Sequence, residues 1–147
     1  MKSVFDKETR DVLIERIHFL QENSRPQWGR MTVYQMIKHC RLWEEMISGK
    51  NKYKQAFIGR LFGKLALKSL LKNDSPLRRN TPTISELRVK DDGDLFSEKT
   101  KWVALMEENA NYINSNFVHP FFGKMTNEQI GYLAYKHTDH HLRQFNC

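Results

Sequence analysis

From Lys7 to Phe145 the apolar residues recur every three or four positions, and no segment shows the strict apolar–polar alternation of a half-buried strand. This regularity confines the chain to helices packed on helices, because an apolar helical stripe must be buried against a neighbour. Leu13, Ile14, Ile17 and Leu20 share one side of a first helix expected over Lys7 to Asn23. The stretch Asn23 to Gly29, with Pro26 and Gly29, breaks it. Thr32 and Gln35 stand at capping-box spacing, so a second helix is expected to run to about Ser48 and stop at Gly49. A third helical segment reads from Lys52 to Lys72, where Gly59 and Gly63, four apart, would permit close contact with another helix.

Asn73 to Asp94 contains Pro76, Pro82, Gly93 and many charges, and reads as a long irregular connection. Another helix is expected over Phe96 to Ser115, turning Trp102, Leu105, Met106, Tyr112 and Ile113 inward. His119 to Gly123 reads as a turn, and Thr126 with Gln129 forms a second capping box that opens a final helix reaching about Phe145. The expected fold is therefore all-α: one domain over residues 1–147, a four-helix bundle with an inserted helical segment and a long loop.

The net charge is +7, and its placement matters more than its size. No acidic residue lies between Met46 and Asn73, whereas Lys50, Lys52, Lys54, Arg60, Lys64, Lys68 and Lys72 do. The preferred reading is a solvated face on a core-packed helix; an anionic membrane or a nucleic acid is the alternative partner. No nucleic-acid motif accompanies the charge, so no specific nucleic-acid partner is expected. No window approaches the ~20 apolar residues of a membrane span, and Met1 to Asp6 lacks a signal peptide's apolar stretch. The two cysteines, Cys40 and Cys147, are too few for a disulfide framework. The expected location is the cytoplasm.

The final helix carries His137-Thr138-Asp139-His140-His141. Histidines four apart fall one turn apart on one face, the spacing that offers two imidazoles to one metal ion. At about 100° per residue, Ile130, Leu133, Ala134 and Phe145 define the buried side, with His137 and His141 near its middle and His140 toward its edge. Buried imidazoles need partners, and a metal supplies one to both; bonds to each other, to tyrosines or to Gln144 would serve as well. His137 with His140 is sterically open too, but the wheel favours His141. His39 lies within the buried arc of the second helix, and periodicity leaves it open between a boundary histidine and a third ligand. His18 falls on a polar side, and a local hydrogen bond accounts for His119 before Pro120. Thr138 stands where a zinc protease would have its general-base Glu, so that chemistry is excluded. Cys40 points about 100° away from His39 and reads as core.

Trp28-Gly29-Arg30-Met31-Thr32, leading into Gln35-Met36-Ile37-Lys38-His39-Cys40, resembles the start of the second helix in the DinB/YfiT-like superfamily. The segments His119 to Thr126 and Tyr135 to Phe145, and the central Asn80-Thr81-Pro82-Thr83, are similar to a branch of it classed as a domain of unknown function. The resemblance covers nearly the whole chain. It implies an up-down-down-up four-helix bundle holding a metal on one histidine of the second helix and two of the last, here His39, His137 and His141. Members with assigned activities include thiol-dependent transferases and isomerases, and others are described as metal-dependent hydrolases. The substrate segments of the thiol transferases are not recognisable here.

Three neutral imidazoles suit zinc or nickel better than magnesium or calcium. They leave at least one coordination position open, where a water or a low-molecular-weight thiol can be activated. The expectation is a metal-dependent small-molecule enzyme of the thiol-transferase kind. The alternatives are a metal-dependent hydrolase and a non-catalytic, metal-stabilised or anion-binding module. His140, Gln144 and Glu44 are candidates for supporting the ligands or moving protons. A homodimer is expected by family analogy.

Overall fold

The computed structural model describes residues 1–111, 114 and 116–147. The helices are α1 (Lys7–His18), α2 (Val33–Ser48), α3 (Phe57–Leu70), α4 (Leu95–Asn111) and α5 (Asn127–Gln144). Two short strands, β1 (Val118–His119) and β2 (Gly123–Lys124), pair antiparallel between α4 and α5. The molecule is thus an all-α bundle with one small ribbon. That ribbon replaces the simple turn expected over His119 to Gly123.

Four helices enclose the core: α1 contacts α4 and α5, α2 contacts the same two, and the α2–α4 packing is the most extensive. Leu13 and Ile17 of α1, Met36 and Ile37 of α2, Trp102 of α4 and Leu142 of α5 are fully buried. Each stripe recurs at helical spacing, as its sequence requires. Local chemistry sets the ends. Asp6 caps α1 by accepting from the Thr9 backbone N–H at 2.8 Å. Both predicted capping boxes form, Thr32 with Gln35 on α2 and Thr126 with Gln129 on α5. Gly49 closes α2 at φ 82°, a left-handed conformation that costs glycine nothing.

Two helix boundaries differ from the sequence reading, the end of α1 and the start of α3, which begins at Phe57 rather than at Lys52. α1 ends at His18 rather than near Asn23, because the Gln21 N–H donates to the Ser24 hydroxyl at 3.0 Å instead of continuing the helix. The predicted inward side chains Tyr112 and Ile113, and the predicted helix end at Ser115, lie outside the described residues. The connection from Asn73 to Asp94 is irregular apart from one 3₁₀ turn at Ser85–Leu87, whose Leu87 is buried.

The larger correction concerns α3. It was expected to pack its apolar stripe into the core; it does the opposite. Phe57, Ile58, Leu61, Phe62 and Leu65 are all more than half exposed, while Gly59, Gly63 and Leu67 face the body. The two glycines lie against the Phe121 backbone, where a Cβ at Gly59 would come within 2.8 Å of the Phe121 Cα. Only a helix side without side chains can approach a peptide that closely. The Ala56 N–H donates to the Pro120 carbonyl at 2.9 Å, and Lys136 of α5 donates to the Leu70 and Ser75 carbonyls. These bonds fix both ends of α3 to the bundle.

A three-histidine candidate metal centre

α2 and α5 bring His39, His137 and His141 together, with ring centroids 4.7 to 5.0 Å apart. Each can offer one ring nitrogen to a common point, and those nitrogens lie within 4.8 Å of one another, so the cluster could hold a metal ion. The i, i+4 spacing places His137 and His141 on one face of α5. The contact between α2 and α5 supplies His39 from across the core.

Hydrogen bonds aim two of the rings. His39 Nδ1 lies 2.9 Å from the Leu87 carbonyl oxygen, an acceptor only, so Nδ1 carries the proton and Nε2 keeps its lone pair. His141 Nδ1 lies 2.9 Å from Gln144 Oε1, which fixes the same tautomer there. Gln144 is itself oriented, its Nε2 donating to the Trp28 carbonyl at 2.8 Å. Such carbonyl and amide partners, one step removed from the ligands, commonly orient metal-binding histidines. His39 Nε2 is 2.9 Å from His137 Nε2. Tetrahedral zinc with bonds of about 2.0–2.1 Å separates two nitrogens by about 3.4 Å, so roughly 0.5 Å of opening would admit the ion. The donor set fits.

Burial pushes all three pKa values down, most strongly for His137 and His141, and the neighbouring imidazoles push in the same direction. His137 is only half-buried as a residue, yet its ring centroid is 5.3 Å from that of Trp43 and within 5.0 Å of both other imidazoles. We therefore read its ring as desolvated. The protein thus presents neutral imidazoles at neutral pH, the form a metal requires.

The remaining candidates separate by position. Gln144 bonds directly to His141. His140 is buried outside the triad, edge-on to Trp28 at 5.5 Å, and the Arg79 guanidinium covers that indole at 4.5 Å. Glu44 is not joined to the triad: its carboxylate accepts from Asn109 Nδ2 at 2.7 Å, on the α4 side, and burial raises its pKa to about 7. His18 is exposed, and Cys40 is buried with its thiol against the Met36 sulfur at 3.8 Å. His119 accepts the Phe121 and Phe122 N–H groups through Nδ1, the local bond expected of it, and packs 5.9 Å from Trp43. Sequence reasoning missed Leu87, whose contribution is a main-chain carbonyl that no residue type advertises. It also missed Trp43 as a wall of the cluster, since any core tryptophan has the same spacing.

Fold and cluster together define a helical bundle with a buried three-histidine site able to hold a metal ion. Residues 5–147 match the family described as "Protein of unknown function (DUF1569)", and the chain belongs to that family. Comparison with curated proteins and with solved structures gives no match. Among the described residues, no helix is long and apolar enough to cross a membrane.

Proposed function

We propose that this chain is a metal-dependent enzyme of the DinB/YfiT-like kind, holding zinc or nickel on His39, His137 and His141 and acting on a small molecule. One observation carries the reading. Two of the three rings are bonded through Nδ1, which leaves Nε2 of each free, and the three rings offer nitrogens within 4.8 Å of one another. Contacts with each other and with Gln144 would also satisfy the histidines, but a metal ion is the one partner that all three rings can share.

When bound, a divalent ion with three neutral ligands keeps an open position and lowers the pKa of a thiol or water placed in it. The protein's own part is to hold the rings, exclude solvent and leave the 2+ charge unbalanced. Thiol transfer is the preferred chemistry, by the resemblance to the DinB/YfiT-like thiol transferases; hydrolysis is the alternative. Gln144 positions His141, and His140 beside Trp28 stands ready to support the same end of the site. Glu44 is left out of the mechanism, since its bond is to Asn109.

Metal analysis of protein purified without a histidine tag, followed by titration of four variants, tests the assignment. His39→Ala, His137→Ala and His141→Ala should each nearly empty the site. His140→Ala should keep metal with affinity reduced by no more than about 10–100-fold. Metal retained in His141→Ala and lost in His140→Ala would give the third position to His140. Metal removal that abolishes thiol-transfer activity while leaving the helical spectrum intact supports an enzyme. Removal that only lowers the melting temperature supports a metal-stabilised fold.

A further inference from the structure

Among the described residues, α3 is the one helix whose apolar side faces away from the bundle. Phe57, Ile58, Leu61, Phe62 and Leu65 are between 57% and 74% exposed, and at 100° per residue they cover one continuous arc of about 140°. Scattered exposed apolar residues are ordinary, but a contiguous patch of this size on a helix marks something that docks there. Arg60, Lys64 and Lys68 run along one edge of the arc, and no acidic residue lies between Met46 and Asn73. Beside that edge, between α3 and α5, lies an open groove of about 340 Å³ lined by Lys64, Leu67, Lys68, Leu71, Gln129 and Tyr132.

We infer that α3 is a docking surface for an anionic lipid bilayer. The charge pattern selects this occupant. A helix lying in a membrane interface buries an apolar face of this width at the headgroup boundary, while lysines and arginines at its edge extend to the lipid phosphates. A second copy of the chain would instead set one cationic edge against another, with no carboxylate on α3 to relieve the repulsion. The inward side fits the same role. Gly59 and Gly63 seat the helix flat on the Phe121 backbone, so docking to the body consumes none of the large apolar side chains. Lys64 donates to the Lys124 carbonyl, which holds that ammonium at the rim. The groove, with two lysines above Leu67 and Leu71, has the polarity of a headgroup subsite. This surface is separate from the histidine cluster and does not depend on metal.

The test is flotation of the full chain with vesicles of phosphatidylcholine plus phosphatidylglycerol, against phosphatidylcholine alone, at low and high salt. Two double variants change only outward side chains, Leu61→Ser with Leu65→Ser and Arg60→Gln with Lys68→Gln. Circular dichroism and metal content matching the parent confirm their fold. The parent should float with the anionic vesicles, less so at high salt. Losing the two charges should weaken binding roughly thirtyfold, and losing the two leucines by about a hundredfold or more. Phe62→Trp adds an independent readout, because its emission should shift to the blue only on anionic vesicles. Absence of flotation, equal binding of parent and variants, or no emission shift would each overturn the proposal. A dimer that the leucine variant splits, with no vesicle binding, would overturn it in favour of a second copy.

Discussion

Among single side chains outside the cluster, Glu44 is the most informative. Its buried carboxyl holds its proton up to about pH 7, whereas an exposed glutamate loses it near 4.5. Between those values the folded state binds more protons than the unfolded one, so this group makes stability fall as pH rises. Glu44→Gln keeps an acceptor for Asn109 and removes the titration. Denaturation of the metal-free variant should show little gain near pH 4.5 and a gain of up to about 3 kcal/mol at pH 8. A gain independent of pH would mean the carboxylate is solvated. His39, at the equivalent depth on the same helix, has only imidazole and carbonyl partners, which is why burial leaves it neutral and able to coordinate.

At the scale of elements, α3 shows how a helix can be placed by its smallest residues. Glycine in a helix interior ordinarily costs about 0.5–1 kcal/mol relative to alanine, so Gly→Ala should stabilise. Here the Cβ at position 63 would enter the Phe121 carbonyl group and sit 3.0 Å from the Phe122 Cα, both backbone atoms that cannot rotate aside. Gly63→Ala is therefore expected to destabilise by about 1–3 kcal/mol, against a neutral or slightly stabilising Ser69→Ala on the exposed side of the same helix. Urea denaturation of the two variants checks this; a stabilised Gly63→Ala would rule out the close seating of α3 on the ribbon. The caps behave more simply. Thr32 and Thr126 are legible from sequence because a capping box involves only four consecutive residues.

For the molecule as a whole, the buried imidazoles dominate the acid limb of stability. His119 is depressed from 6.5 to about 4, and His137 and His141 are well below 6.5, all chiefly through burial. Below pH 6.5 the unfolded chain takes up protons that the folded chain refuses, so stability is fully present above 6.5 and is lost as pH falls toward 4. Metal binding to the folded state alone should add about 2.7 kcal/mol at a hundredfold excess over Kd, or roughly 5–10 °C in Tm. Thermal melts with zinc and with chelator at pH 7.5 and 5.5 measure both effects. The metal-induced shift should shrink at pH 5.5, where protons compete for the same nitrogens. A Tm indifferent to metal at both values would reduce the cluster to a hydrogen-bonded core.

Features that depend on neighbours along the chain can be read from residue order alone. The helical period, both capping boxes, the Gly49 stop and the pairing of His137 with His141 on one face are all set by residues within a turn or two. For the first helix even that local reading overran, because the hydroxyl of Ser24 competes for a backbone N–H. Contacts between residues far apart in sequence come from the folded packing. It joined His39 to His137 across 98 residues and supplied the Leu87 carbonyl from the long loop. It also turned the apolar arc of α3 outward. Periodicity reports that a stripe exists, not which side has a neighbour, and here the glycine side fits the Phe121 backbone where no large side chain could.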